Sequence, residues 1–427
     1  MSAINTILDG VSLPKMAPVR QLFSTDHIAD VPGNLLEELG RDEIRTRIKP
    51  GMRIAITAGS RGVDNYLSLM RTLVEFIKSQ GAEPYAVAAM GSHGGATVEG
   101  QKQILDGYGI TEENLGCPVK IGNATKRIGV TKDGLPVQID AYAAEADGII
   151  LMNRIKAHTA FHGKYESGLM KMMAIGLAKQ PGADYCHERG FGVMAEMIES
   201  FGRAILQDSP VLFGIALVEN SYDKTCVIRA IPAERIPEEE PPLLALSKEK
   251  LAHILIPSAD LLIVHEIGKN ISGDGMDPNV SGTFATPFAS GGIDAQRVAV
   301  LRIAKESHGN AVGWGMADTS TQAAFQEFRP ENTYPNSLTC RVTQVSKVPL
   351  LFENDLYCIK AAIKTAADLD LNNLRIVYIK NTLRMDKILV SEALLPQVEA
   401  SEQMLLAGPA KELEFDADGN IGKDYFA

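Results

Sequence analysis

A repeated succession restricts the fold more than any other feature: an apolar β-like run, a glycine-bearing polar turn, then an amphipathic helical period. RIAITAGS, residues 53–60, reads as a buried strand and leads through a turn into helical spacing over 64–80 (DNYLSLMRTLVEFIKSQ). YAVAAMGS, residues 85–92, is a second apolar run, followed by glycines and helical spacing over 96–108. GIILMNRIK, residues 148–156, is a third, and it stops just before His158. Strands fed in turn by helices predict a parallel α/β sheet. In such sheets ligands bind beyond the carboxyl ends of the strands. Three polar segments bearing histidine or arginine stand there: 59–63, 91–97 and 156–171.

Helical periods over 166–178 and 192–206 and the strands VLFGIALVEN and CVIRAI follow. The stretch IPEEEPPLLALSKEK, residues 236–250, is acidic and proline-rich, then helical, and reads as the approach to a domain boundary. A second α/β unit starts near LLIVHEIG and continues with VAVLRIA, a helix over 356–367 and LRIVYIK. The expectation is therefore two α/β domains with mostly parallel sheets and an active-site cleft between them. The N-terminal domain spans 1–258 and anchors the catalytic groups; the C-terminal domain spans 259–399, and the polar tail 400–427 packs back on the first. A length of 427 residues suits this division.

The net charge of −11 argues against a nucleic-acid partner. The five cysteines are scattered and never form C-x-x-C, which argues against a disulfide framework or a thiolate zinc site and suits a reducing cytosol. MSAINTILDGVSLPK lacks the basic-then-apolar pattern of a signal peptide, and no run of 18 apolar residues marks a membrane span. The expected setting is cytoplasmic, with no membrane partner.

Candidate chemistry centres on a few residues. The chain has eight histidines. His93 (MGSHGGAT) and His158 (IKAHTAFHGKY) both end apolar strands, and strand ends converge on one site. Lys171 interrupts the apolar run of SGLMKMMAIGLA, and burial would make its amine nucleophilic. His187 follows sixteen positions later beside Asp184 and Glu188, either of which would orient the ring for a metal. Each residue also has a plain structural reading: a turn histidine, a solvated loop histidine, a snorkelling lysine, a mixed-charge surface helix. A zinc hydrolase motif H-E-x-x-H is absent. His158 and His162 would form a metal pair only on a helix, and Gly163 bounds their segment.

Taken in order, GSH at 91–93, AH at 157–158, S-G-x-x-K at 167–171, the following IGLA helix and His187 resemble the nickel-dependent lactate racemase family. EIGK at 266–269 opens the second domain as that family's Q-x-x-K segment does, with Glu266 in place of Gln. The resemblance implies a 2-hydroxyacid racemase or epimerase that abstracts hydride from the α-carbon to a nickel-pincer nucleotide and passes through a 2-keto acid. The cofactor is pyridinium-3,5-bisthiocarboxylic acid mononucleotide nickel. It implies Lys171 as the covalent anchor and His187 as the nickel ligand. His93 and His158 would be paired acid/base groups, and Arg61 and Lys269 would hold the substrate carboxylate. Cofactor-assembly enzymes are implied as partners. The chemistry is coherent: hydride removal leaves a planar keto acid that either face can recapture, and two near-neutral histidines suit the two hydroxyl positions.

The chain departs from the family pattern in two places. Ala58 stands where the family has an acidic residue three positions before the arginine, and the segment between His158 and Lys171 is longer, which leaves His162 as a competitor of His158. A larger or more polar acid than lactate is expected. The alternatives are a metal-dependent lyase or epimerase without the pincer, and a non-catalytic carboxylate or nucleotide binder using Arg61. Asn270–Gly282 reads as a turn cluster or a lid.

Overall fold

The computed structural model describes residues 3–427. The fold is α/β with mostly parallel sheets. It divides into two compact units, Ser24–Leu251 and the stretch up to Phe23 together with Ala252–Ala427. Strand β1 (Met16–Gln21) belongs to the second of these.

In the unit Ser24–Leu251, β2 (Arg53–Ala58), β3 (Glu83–Ala88) and β4 (Val119–Lys120) run parallel. The hairpin β5 (Thr125–Val130) and β6 (Pro136–Asp140) stands apart as its own small sheet. β7 (Gly148–Arg154) and β8 (Val211–Glu219) return to the main sheet in parallel, and β9 (Thr225–Pro232) closes it antiparallel. The order is β4-β3-β2-β7-β8-β9. The central strands are buried on both faces, which is why they read as continuous apolar runs rather than alternating ones. Helix Tyr66–Ser79 turns Leu69, Met70, Leu73, Val74 and Ile77 into that core at three- and four-residue spacing. Helix Val98–Gly107 starts where the Thr97 hydroxyl accepts the Gly100 N–H.

The segment 236–250 does lead to the division between the two units, which follows Leu251. It forms one helix, Ile236–Lys250, with Pro241 and Pro242 inside it. Proline at 241 has no N–H for the carbonyl four residues earlier, that of Pro237. The Tyr165 hydroxyl donates to that oxygen instead, at 2.7 Å.

In the other unit, β10 (Ser258–Ile267), β11 (Asp294–Ile303), β12 (Thr319–Thr321), β13 (Leu350–Phe352) and β14 (Ile376–Asn381) are parallel. β15 (Arg384–Ser391) and β16 (Met404–Leu406) complete the order β13-β12-β11-β10-β14-β15-β1-β16. Two expectations are corrected here. The first strand of the chain pairs antiparallel with β15 and β16, so it is not part of a contiguous 1–258 domain. The tail packs on this unit rather than on the first domain. Lys411 bridges Met16, the Ile421 N–H donates to Asp355, and Phe426 stacks edge-on against Tyr378 at 5.1 Å. Burial of Ile421 and of the tail's aromatic rings against that core decides its place. Residues 270–282 are turns and a short helix, Pro278–Ser281, capped by Asp277.

Candidate active site

The carboxyl ends of β2, β3 and β7 lie side by side in the sheet and carry the site. After β2, the Gly59 N–H donates to the Tyr66 hydroxyl oxygen at 2.8 Å, and the Tyr108 hydroxyl donates to the Ser60 carbonyl at 3.3 Å. These two tyrosines from the following helices hold the turn that presents Arg61. After β3 comes the loop of His93. Gly91 adopts a left-handed φ of 57°, its N–H donates to the Gly176 carbonyl, and a Cβ there would press on Ile175. The His93 Nδ1 donates to the Met90 carbonyl at 2.8 Å.

After β7, the chain folds through 155–168 as a closed loop. Lys156 and Ser167 exchange both backbone hydrogen bonds. Buried Glu166 organises the interior: its carboxylate accepts the His158 N–H at 2.7 Å and the Gly163 N–H at 3.1 Å. Lys248 pairs with it at 2.6 Å. The loop is not helical, so His158 and His162 do not form an i,i+4 pair on one helical face.

The Lys171 segment is a short α-turn, Leu169–Lys171, running into a π-helix, Met172–Leu177, and then helix Lys179–Glu188. π-Helical turns occur often at functional sites. The segment is fixed from below. Asn153 donates to the Gly168 carbonyl at 2.8 Å, and Glu240 accepts the Met170 N–H at 2.9 Å. Gly176 lies so close to the Ala89 carbonyl that a Cβ would stand 2.8 Å from it. Lys171 is only partly buried; the lysine sealed in this segment is Lys179, 2% exposed. Its ammonium donates to the Ala88 carbonyl at 2.5 Å and pairs with buried Asp140 at 3.0 Å, which ties the start of the His187 helix to the end of β3.

These elements bring four of the expected residues together. Burial holds the His158 imidazole well below its ordinary range, and the charges of Lys171, His187, Arg61 and His162 push in the same direction. The near-neutral value expected for His158 is thereby corrected. Phe191 lies against both imidazoles, 6.1 Å from His158 and 5.5 Å from His187, and Phe161 packs 4.3 Å from His158. Asp184 is exposed and accepts from Gln180 one turn earlier at 2.6 Å. His93 stands after β3, on the neighbouring strand end. Lys269 follows β10 in the other unit, where its ammonium donates to the Gly273 carbonyl at 2.5 Å.

Sequence reasoning did not find Glu166, Glu240, Lys179 or the two tyrosines. Nothing in the sequence marked the carboxylates: Glu166 stands in the polar stretch HGKYESG, and Glu240 is the third of three consecutive glutamates. Among the described residues no three His, Cys, Asp or Glu side chains converge as a metal site, and no helix is long and apolar enough to cross a membrane.

Residues 18–196 match the model of the lactate racemase N-terminal domain. No curated protein matches the chain. Among solved structures, the lactate racemase apoprotein from Thermoanaerobacterium thermosaccharolyticum is 14% identical. The match covers 86% of this chain and 99% of that one at a TM-score of 0.52. A protein from Thermotoga maritima is 11% identical over 83% of this chain and 97% of that one, at a TM-score of 0.49. At such identities the likeness to the apoprotein is one of fold, while the matched domain carries the strand ends described above. The likeness to the lactate racemase family thus rests on its N-terminal domain, matched over residues 18–196.

Proposed function

We propose that the chain is a racemase or epimerase of a 2-hydroxy acid, working on a nickel-pincer nucleotide anchored at Lys171 and ligated through its nickel by His187. The observation that carries this reading is that the charges of Lys171, His187 and Arg61 all act on the buried His158 after β7, with Phe191 against both His158 and His187. The donor set fits such a group. A metal held by protein atoms alone needs three or four ligands. A metal that arrives in a pincer needs little more than one imidazole, which His187 offers. An amine, a guanidinium and imidazoles gathered in a chain of net charge −11 also suit an anionic nucleotide and a carboxylate substrate.

When bound, the group supplies an electrophilic acceptor for the α-hydrogen of the substrate. The rest falls to the chain. Arg61 grips the carboxylate with its planar fork. His93 and His158 address the hydroxyl group. Phe161 and Phe191 are buried beside His158 and exclude water from that side.

The test is denaturing mass spectrometry and metal analysis of protein from a host that makes the cofactor, followed by a panel of single-enantiomer 2-hydroxy acids scored by loss of optical purity. A mass increment on Lys171, one nickel per chain and racemisation of at least one acid are expected. An unmodified Lys171 without nickel from that host refutes the anchor. Activity restored by a simple divalent metal favours the labile-metal reading.

A further inference from the structure

Lys171 and His187 are sixteen positions apart. On one unbroken α-helix that interval would span about 24 Å, too far for both to reach one small prosthetic group. The chain shortens it with a joint. The π-helical turn Met172–Leu177 stops, Lys179 takes a left-handed φ of 58°, and helix Lys179–Glu188 sets off in a new direction. The charge of Lys171 acts on the Cys186 thiol beside His187, and the charges of Lys171 and His187 both act on His158. The joint therefore folds its two arms back toward one place.

Two neighbours require a joint here without setting its angle. Pro181 has no N–H for the Leu177 carbonyl, so the first helix cannot run on. Gly182 permits the tight turn, since a Cβ on it would stand 2.2 Å from the Ala178 Cβ and 3.0 Å from the Ala174 carbonyl oxygen. The angle falls to residue 179. A left-handed backbone suits glycine and strains other residues. This chain has a lysine there, and its side chain runs inward. Its ammonium pairs with buried Asp140 at 3.0 Å and donates to the Ala88 carbonyl at 2.5 Å. Both partners are themselves fixed. Ala88 ends β3, and the Asp140 carboxylate also accepts the Ala143 N–H at 3.0 Å, capping the short helix Ala141–Ala144.

We propose that Lys179 is a positioning residue: its buried ion pair with Asp140 holds the left-handed joint, and the joint brings the His187 imidazole to the group anchored on Lys171. This rests on the reading of Lys171 and His187 as anchor and nickel ligand. Lys179 acts through the backbone, its own ammonium being engaged by Asp140 and Ala88.

Two double variants separate this role from plain stabilisation. Both carry Asp140→Asn, so that no charge is left buried without its partner. Lys179→Met fills the space of the lysine but resists the left-handed backbone. Lys179→Gly leaves that space empty but adopts the backbone freely. If the ion pair only stabilises, the methionine variant stays closer to the parent; if it positions, the glycine variant does.

The first readout is the crystal structure of each full-length apo-chain. In the methionine variant residue 179 is expected to leave the left-handed region and the His187 ring to move by more than about 1 Å relative to Lys171, enough to spoil a site. The glycine variant is expected to keep the joint and the ring in place. A methionine variant with residue 179 still left-handed and His187 unmoved, or a glycine variant with the ring displaced, overturns the proposal. The second readout uses chains from a host that makes the cofactor. Both variants are expected to keep the mass increment on Lys171. A chelator should strip nickel from the methionine variant about tenfold faster than from the parent, as it should from His187→Ala, and from the glycine variant within about threefold of the parent rate. Parent-like retention by the methionine variant, or faster loss from the glycine variant, also overturns it. A parent chain with neither increment nor nickel refutes the cofactor reading instead, and the crystal structures still decide the joint.

Discussion

Replacing Glu240 by glutamine should remove a loss of stability that the protein otherwise suffers as pH rises from about 4.5 to about 7. The Glu240 carboxyl is fully buried under the turn that begins the Lys171 segment. One oxygen accepts the Met170 N–H at 2.9 Å, and the other has no hydrogen-bond partner. Gly168 leaves room for it, since a Cβ there would overlap that second oxygen. Burial pushes the carboxyl from 4.5 up to about 7, against the opposing pull of the Met170 and Leu169 N–H groups. Between those values the folded protein keeps a proton that the unfolded chain has lost, so stability is complete below pH 4.5 and falls as pH rises through 7. At about 1.4 kcal/mol per pH unit, the loss amounts to about 3 kcal/mol. Glutamine keeps the acceptor oxygen and never ionises. The assay is urea unfolding of both proteins at pH 4.5 and pH 8, comparing their stability difference so that all other titrating groups cancel. That difference should move by about 3 kcal/mol in favour of the variant, whatever constant cost its unpaired N–H groups add. A difference that stays the same at both pH values, or moves the other way, refutes the reasoning.

Lys179→Met should cost about 3–5 kcal/mol in chemical denaturation, because it leaves Asp140 as a buried charge without its cation; adding Asp140→Asn should recover part of the loss. Tyr165→Phe should cost about 1–3 kcal/mol by the same assay, since the Pro237 carbonyl inside the proline-bearing helix loses its donor. Tyr66→Phe removes the oxygen that receives the Gly59 N–H; on a 2-hydroxy acid it should raise KM more than it lowers kcat, as expected for a loosened Arg61 turn.

The strands of the first unit were legible because a strand buried on both faces writes itself as an unbroken apolar run, and RIAITA, PYAVA and GIILMNR all do so. The helices after β2 and β3 start two residues later than their periodicity suggested, since Asp64 and Ala96–Thr97 serve turns and caps that periodicity does not register. The π-helical turn was not legible: MMAIGL is apolar at every period, so nothing marks where the winding changes. The segment 236–250 was legible as the approach to the division after Leu251, but two prolines in a row hid that it is helical from Ile236 onward, because the hydroxyl that compensates one of them comes from Tyr165, far away in sequence. Lys171 drew attention as the lysine in an apolar run, while Lys179, seated deeper, looked like the end of that run. Its partner Asp140 lies in a hairpin whose place only the fold reveals.

The threading of β1 between β15 and β16 has a consequence for how the chain is made. Strand β1 finds these neighbours only after residues 384–391 and 404–406 have been synthesised. The intervening Ser24–Leu251 contains all the partners of its own sheet and is complete long before that. The unit Ser24–Leu251 can therefore settle before β1 joins β15 and β16. Until then the amino-terminal ribbon is an unpaired edge awaiting a match, and a chaperone or a neighbouring nascent chain would meet it in that state.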